Sequence, residues 1–281
     1  MSLGLGLGLS RNVLNKKYGL DYILNAYDSC VAFFSYYRSS AKYTGKCCKA
    51  RRMDTGIEKD IGFKNGYIDY EDVSDFCAGT TGLVTTIYNS SAATGKQNAI
   101  QLTADNMPII YEGGNFLSDG FKFVATNPSN PSKMDILDYA GIDIRDPSLS
   151  MYINYTPDSS TGYIIGKFIN AVDKMQYGVT VENVTLYAFL LDWTNRTLTN
   201  ENAKTNKYLL NWVDKNANGL KYINQVGNGA TTLNASLPNG GNLTFGYCVG
   251  DPTFIYNGSI KTIAIFNSNQ YDNYTKLAAL I

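Results

Sequence analysis

Histidine is absent from the 281 residues of this chain. Its absence excludes Ser/His/Asp and Cys/His triads, an imidazole general base and a His-ligated zinc site, so carboxylates, tyrosines and lysines remain as acid–base groups. A charge excess is also lacking, because 24 Lys and Arg residues balance 24 Asp and Glu residues. Nucleic acid is therefore not expected as a partner, since it would need basic residues concentrated on one face.

Long apolar runs are missing as well. No segment has about 18 unbroken apolar residues, and residues 1–10 lack the basic and continuously apolar stretches of a secretion signal. We expect no membrane span and no export by that route. The five cysteines are odd in number and follow no metal-ligand spacing, which is typical of reduced residues of a chain made in a cytosol. Adjacent Cys47 and Cys48 leave a vicinal disulfide or a soft-metal site open, although neighbouring strand residues should face opposite sides.

The chain is rich in Tyr, Gly, Asn and Thr, which favour turns and pleated strands. Helices are predicted only for 69–77 and 271–281, with a short helix or turn leading into a strand within 18–37. Asn-Gly pairs at 65–66, 218–219, 228–229, 239–240 and 257–258 predict hairpin turns. These features predict an all-β antiparallel sandwich over residues 26–281. Its strands are expected at 47–53, 83–88, 107–111, 121–125, 149–155, 163–169, 177–181, 184–191, 243–247 and 260–266.

An extended arm precedes the predicted sandwich and, with its lead-in, occupies residues 1–25. Within it, Leu3, Leu5, Leu7 and Leu9 alternate with glycine, so all four side chains share one face of an extended segment. We expect this face to dock on a partner by strand addition or in a groove. A disordered tail and a first strand of the protein's own sheet remain the alternatives.

Collinear short motifs run through the first third of the chain, among them Tyr36-Tyr37-Arg38-Ser39-Ser40, Glu58-Lys59-Asp60-Ile61-Gly62-Phe63 and Val84-Thr85-Thr86-Ile87-Tyr88. In these motifs the chain resembles the catalytic-domain family of fungal α-L-arabinofuranosidase B and its relatives in bacteriophage virion proteins. A later stretch, from Leu243-Thr244-Phe245-Gly246 to Phe266-Asn267, resembles the last strands of a laminin-G or concanavalin-like domain. Both resemblances imply a single jelly-roll sandwich. The collinear matches to the first family are Ala26-Tyr27, Tyr36-Tyr37-Arg38-Ser39-Ser40, Tyr43-Thr44-Gly45, Ala50-Arg51-Arg52, Glu58-Lys59-Asp60-Ile61-Gly62-Phe63, Asn65-Gly66, Phe76-Cys77, Gly79, Val84-Thr85-Thr86-Ile87-Tyr88, Gln97-Asn98-Ala99 and Pro108-Ile109-Ile110.

One departure from the arabinofuranosidase pattern bears on function. The family has Asp-Gln-Ser-Gly after the Val-Thr-Thr strand, whereas this chain has Tyr88-Asn89-Ser90-Ser91-Ala92. The resemblance and this loss together imply a bacteriophage virion structural protein and not an enzyme: a head or tail fibre, spike or decoration made in the host cytoplasm. Its expected partners are other virion proteins through the arm, further copies of itself in an oligomer such as a trimer, and a host-surface glycan. An arabinofuranosidase-like glycoside hydrolase and a purely structural adaptor are the alternatives.

Few residues stand out as site candidates, and no catalytic residue, cofactor or metal is assigned. Trp193 ends a probable hairpin and is the best candidate for stacking on a sugar, with Trp212 more suited to a buried strand or helix. If the chain is a glycosidase, Glu112 is the best candidate acid and Asp119 a possible partner. Two aspartates of the segment 143–146 offer a weak calcium site at the rim, namely Asp143 and Asp146.

Overall fold

The computed structural model describes residues 19–23, 26–124, 131–143, 148–158, 161–168, 175–182, 185–190, 197–202, 207–215, 218–223, 226–232, 241–248 and 254–280. Antiparallel β-structure dominates them. The strands are β1 Cys30–Ser35, β2 Cys48–Arg52, β3 Glu58–Ile61, β4 Phe63–Lys64, β5 Tyr67–Ile68, β6 Gly82–Ile87, β7 Ala99–Ile100, β8 Ile109–Glu112, β9 Asn115–Phe116, β10 Phe121–Phe123, β11 Met134–Ile136, β12 Ser148–Pro157, β13 Gly162–Phe168, β14 Met175–Glu182, β15 Thr185–Leu190, β16 Thr197–Asn202, β17 Lys207–Lys215, β18 Asn218–Ile223, β19 Val226–Thr232, β20 Leu243–Phe245 and β21 Gly258–Phe266.

Helices are short and lie at the periphery. They are α1 Ala26–Ser29, α2 Tyr70–Cys77 and α3 Tyr274–Leu280, with 3-10 turns at Gly19–Tyr22, Ala104–Asn106, Ala140–Ile142 and Tyr271–Asn273. Within the described residues, no helix is both long and apolar enough to cross a membrane.

Strand pairing builds two layers that continue into each other. One layer runs β19-β18-β17-β12-β21, and β1 and β10 both pair with the far side of β21. The other runs β16-β15-β14-β13-β20-β11-β7-β6-β2-β3. Strand β8 pairs with β10 of the first layer and β6 of the second, so the sheet curls back on itself. The predicted all-β sandwich is confirmed.

The main core lies between the two layers. Strand β12 shows how alternation fills it: Met151 and Ile153 point into this core, whereas Tyr152 between them packs on the opposite face. The rings of Phe34 on β1 and Phe245 on β20 meet edge to face across the layers, with centroids 5.2 Å apart. A second cluster beneath Tyr152 includes Leu277 of α3, so the outer face of the first layer is covered as well.

Asn-Gly pairs predicted some hairpin turns correctly and others incorrectly. The hairpin β4–β5 turns at Asn65 and Gly66, whose φ values of 53° and 80° suit the type I′ turn expected of Asn-Gly. The Asn-Gly pair at 218–219 is not a turn, because Asn218 and Gly219 both lie within β18. Asn218 already pairs with Lys215, the last residue of β17. The pair at 228–229 likewise lies inside β19. The hairpin predictions at these two places are wrong, since strand pairing outweighs the local turn preference.

Candidate carboxylate site at the sandwich rim

The glutamate considered as a catalytic acid lies at an exposed edge. Glu112 ends β8, its side chain is 42% exposed, and its carboxylate accepts a hydrogen bond from Lys122 Nζ at 2.7 Å. It lines a groove of ≈ 550 Å³ together with Asp105 and Arg51. Asp119, its suggested partner, is not among the residues that line this groove, so the structure does not bring the two together there.

The segment that replaces the family's Asp-Gln-Ser-Gly pattern has a structural task. Asn89 Oδ1 accepts from the backbone N–H of Phe33 and of Ser91, each at 3.1 Å, and Ser91 Oγ donates to the carbonyl of Val31 at 2.9 Å. Asn89, Ser90 and Ser91 are all buried. These residues tie the end of β6 to β1, so their departure from the family pattern reports on packing and does not decide whether the chain is an enzyme.

A buried lysine gathers two carboxylates at one end of the second layer. All residues of β13 are buried, and Lys167 lies among them with a side chain only 1% exposed. Its Nζ donates to Asp138 Oδ1 at 2.5 Å and to the carbonyl of Gly241 at 2.9 Å, and it lies 2.9 Å from Asp143 Oδ1. A buried ammonium without such partners would be strongly unfavourable, so this cluster satisfies the charge of Lys167.

Strand register brings these groups together. Lys167 on β13 pairs with Leu243, the first residue of β20, and Leu243 pairs with Ile136, the last residue of β11. Asp138 therefore follows the end of one strand, and Gly241 precedes the start of its neighbour. The cluster consequently lies at the rim of the sandwich, where loops leave the sheet.

A short turn delivers the second carboxylate. Asp143 follows the 3-10 turn Ala140–Ile142, and the carbonyl of Ile142 accepts a hydrogen bond from the hydroxyl of Tyr177 at 3.3 Å. Tyr177 is the cross-strand neighbour of Lys167 on β14, and burial raises the pKa of its phenol well above the usual value. A neutral tyrosine thus holds the turn that carries Asp143.

The two carboxyl groups have different surroundings. The Asp143 side chain is 9% exposed and that of Asp138 is 28% exposed. Burial raises the pKa of Asp143, Lys167 opposes the rise, and the negative charge of Asp138 adds to it. Although Lys167 Nζ lies 2.9 Å from Asp143 Oδ1, this oxygen accepts no well-directed hydrogen bond, so the contact is an ion pair of poor alignment. Asp143 is therefore the carboxyl better suited to hold a proton, and Asp138 is the more exposed of the two.

Sequence reasoning considered Asp143 only with Asp146 as a calcium ligand. The structure instead directs Asp143 toward Lys167, whose positive charge takes the place of a cation. Asp146 lies outside the described residues, as do the arm residues Leu3, Leu5, Leu7 and Leu9 and the candidate sugar platform Trp193. These assignments stay predictions.

The adjacent cysteines are both buried and unbridged. Cys47 Sγ donates to the carbonyl of Ser35 at 3.3 Å, and burial raises the pKa of its thiol well above the usual value. The thiol of Cys48 contributes to this rise. Buried protonated thiols are poor nucleophiles and metal ligands.

Comparisons with solved structures find a similar fold in arabinofuranosidases. No protein-family model matches the chain, and no curated protein matches it significantly. Among solved structures, an arabinofuranosidase complexed with arabinofuranosyl-α-1,2-xylobiose is similar over 91% of this chain and 63% of its own, at 14% identity and a TM-score of 0.61. A GH54 α-L-arabinofuranosidase soaked with a cyclic sulfate inhibitor is similar over 89% of this chain and 62% of its own, at 15% identity and a TM-score of 0.65. The chain thus spans less than two thirds of the length of these enzymes.

These comparisons correct two predictions made from the sequence. The expectations of a bacteriophage virion structural protein and of a chain that is not an enzyme are corrected, because the solved structures with a similar fold include arabinofuranosidases. The error lies in the interpretation of the segment 88–92 as a lost functional motif. Its residues Asn89 and Ser91 are buried and hydrogen-bond to the backbone of β1, which links the end of β6 to that strand. The resemblance to the arabinofuranosidase family is confirmed at the level of the fold.

Proposed function

We propose that the chain is a glycoside hydrolase of the arabinofuranosidase type, acting through the carboxyl groups of Asp138 and Asp143. The observation that carries the proposal is a pair of neighbouring carboxyl groups on one buried lysine in a sandwich of the arabinofuranosidase fold. Glycoside hydrolysis needs two carboxyl groups in different protonation states. The unequal burial of Asp138 and Asp143 supports that division.

The proposed roles follow from the surroundings of each group. Asp143, with its raised pKa, donates a proton to the glycosidic oxygen as the bond to the anomeric carbon breaks. Asp138, held by Lys167, supplies the negative charge and attacks the anomeric carbon to form a glycosyl ester. Water then hydrolyses the ester, with Asp143 taking the proton from that water. Both carboxylates contact one Nζ atom, and such closeness favours this retaining route, which uses a separation of about 5 Å.

Hydrolysis of 4-nitrophenyl α-L-arabinofuranoside tests the proposal. Asp143→Asn should lower turnover about 10²- to 10⁴-fold, the usual loss for a general acid or base, and Asp138→Asn should abolish it. Asp135→Asn is the matched control, because Asp135 is also ion-paired to a lysine, Lys133 at 3.0 Å, but has no second carboxyl beside that lysine. The control should keep its turnover.

A second readout separates an acid from a merely structural aspartate. A poor leaving group such as xylobiose needs protonation more than 4-nitrophenolate does, so Asp143→Asn should lose more turnover on arabinofuranosyl xylobiose than on the aryl substrate. A purely structural role would lower both equally. Wild-type activity should also fall as pH rises through the pKa of Asp143, since the acid form is lost. An inactive wild-type chain on both substrates, or a fully active Asp143→Asn variant, would overturn the proposal.

A further inference from the structure

A small basic pocket lies on the opposite part of the second layer, where the loop after β1 meets the junction of β3 and β4. It has a volume of ≈ 190 Å³ and is lined by Arg38, Tyr43, Lys46, Gly62 and Phe63, with backbone of residues 44–45 completing the wall. None of these residues belongs to the carboxylate cluster around Lys167. The ligand of this pocket is therefore considered separately from the substrate of the carboxylate cluster.

Positive charge dominates its wall. Lys46 is exposed, and no carboxylate of the described residues lies within ion-pairing distance of it. Arg38 Nε donates to the carbonyl of Ser40 at 2.9 Å, which fixes the guanidinium at the pocket. Lys96 adds a third cation near this wall, with its Nζ 5.4 Å from the centroid of the Tyr43 ring.

The neighbouring acidic groups are already engaged. Asp21 accepts hydrogen bonds from Ser40 Oγ and from the backbone N–H of Ala41, both at 2.7 Å. Asp60 accepts a hydrogen bond from the hydroxyl of Tyr88 at 2.6 Å. An anion entering the pocket would consequently meet the ammonium of Lys46, to which neither of these two carboxylates is ion-paired.

Aromatic rings form the rest of the wall. The Tyr43 and Phe63 rings meet edge to face, with centroids 6.3 Å apart. Tyr43 is held in place because its hydroxyl donates to the carbonyl of Lys46 at 2.9 Å. An aromatic face suits the apolar face of a sugar ring, and an ammonium suits a carboxylate. Glycine at position 62 leaves the space between them open, since only Lys46 Nζ, at 3.9 Å, would approach a Cβ atom there.

We propose that this pocket binds a single uronate unit, a sugar ring that carries a carboxylate, with Lys46 pairing the carboxylate and Tyr43 contacting the ring. The proposal goes beyond the hydrolase activity and does not depend on it, because it uses none of the residues assigned to bond cleavage. A small pocket whose Lys46 ammonium is ion-paired to no carboxylate of the described residues fits one charged sugar better than a long neutral chain.

Calorimetric titration of the full chain with small ligands tests this site. The probes are methyl α-D-glucuronide, methyl α-D-galacturonide, the neutral methyl α-D-glucoside and acetate. We expect at least one uronide to bind, with the glucoside and acetate each at least tenfold weaker, because each lacks one of the two contacts. Added salt should weaken uronide binding through screening.

Three variants locate the binding. Lys46→Ala should weaken uronide binding about tenfold or more, whereas Lys64→Ala, which removes an exposed lysine paired to Glu71 at 2.5 Å, should leave it unchanged. Gly62→Val keeps every charge and fills the pocket, so it should abolish binding while the melting temperature stays close to that of the wild type.

Each other outcome overturns the proposal. If neither uronide binds, or if the glucoside or acetate binds as tightly as the uronides, the pocket does not recognise a carboxylated sugar. If Lys46→Ala and Gly62→Val both retain full uronide affinity with intact folding, the uronide binds elsewhere. Hydrolase activity plays no part in these readouts, so failure here and failure of the proposed function are distinguishable.

Discussion

Replacing Lys167 by methionine tests the charge balance of the rim cluster directly. Methionine keeps an unbranched chain of similar length but removes the ammonium that contacts Asp138 and Asp143. Breaking a buried ion pair by removing one partner costs about 3–5 kcal/mol, because the remaining charge is left uncompensated. At about 2–4 °C per kcal/mol for a large domain, the melting temperature should fall by roughly 6–20 °C at neutral pH.

The stability lost in Lys167→Met should depend on pH, because it depends on the ionisation of Asp143. Burial already raises the pKa of Asp143, and Lys167 opposes the rise, so removing the lysine should raise that pKa further. A carboxyl whose folded-state pKa exceeds its unfolded value destabilises the fold when it is ionised. The loss in Lys167→Met should therefore be largest at neutral pH and should shrink as pH falls through the raised pKa, where Asp143 becomes protonated.

Urea unfolding followed by circular dichroism at about pH 7.5 and about pH 4.5 measures both quantities. Lys133→Met is the control, because the Lys133–Asp135 pair is partly exposed and should contribute only about 0–1 kcal/mol. The reasoning is refuted if Lys167→Met loses less than about 1 kcal/mol at neutral pH, or if its loss is the same at both pH values. Either result would mean that the lysine does not compensate the two carboxyl groups.

Two further predictions concern local backbone structure. Asp69→Ala should lower the free energy of unfolding by about 1 kcal/mol, since the Asp69 side chain accepts a hydrogen bond from the N–H of Asp72 at the start of α2. An unchanged urea midpoint would contradict this capping role. Gly246→Ala should lower the melting temperature clearly more than Gly79→Ala, although the two glycines have similar φ values of 80° and 79°. An added Cβ atom would lie 2.8 Å from the carbonyl oxygen of Ser132 at Gly246, whereas no atom lies within 4 Å of it at Gly79. Equal melting temperatures of the two variants would refute this steric argument.

Short runs of strand-forming residues between turn signals predicted ten of the 21 strands in the described part of the chain. The expected strands at 149–155 and 260–266 correspond to β12 and β21, which pair along nearly their whole length at the centre of the first layer. The helix expected at 69–77 forms as α2 with Asp69 at its N-cap. These elements were predictable because their side-chain period and capping residue act within a few positions of the chain.

Longer-range hydrogen bonding was not predictable in this way. Asn89 bonds to the backbone of Phe33, 56 positions away, and to the hydroxyl of Tyr139, 50 positions away. Nothing in the local sequence of residues 88–92 distinguishes such a buried clamp from an exposed loop with a lost motif. The wrong inference about function came from this segment, where the partners of a polar run determine its meaning.

The rim cluster shows what a local signal can and cannot establish. A lysine within the aromatic and aliphatic run Tyr163–Phe168 must have a partner when the strand is buried, and that requirement could be read from the sequence. The identity of the partners could not be read from the sequence. Asp138 and Gly241 reach Lys167 only through the strand register, which sets Lys167 beside Leu243 and Leu243 beside Ile136. A shift of one residue in the β13–β20 pairing would turn Lys167 to the other face of the sheet. The proposed catalytic pair therefore depends on strand register as much as on the identity of its side chains.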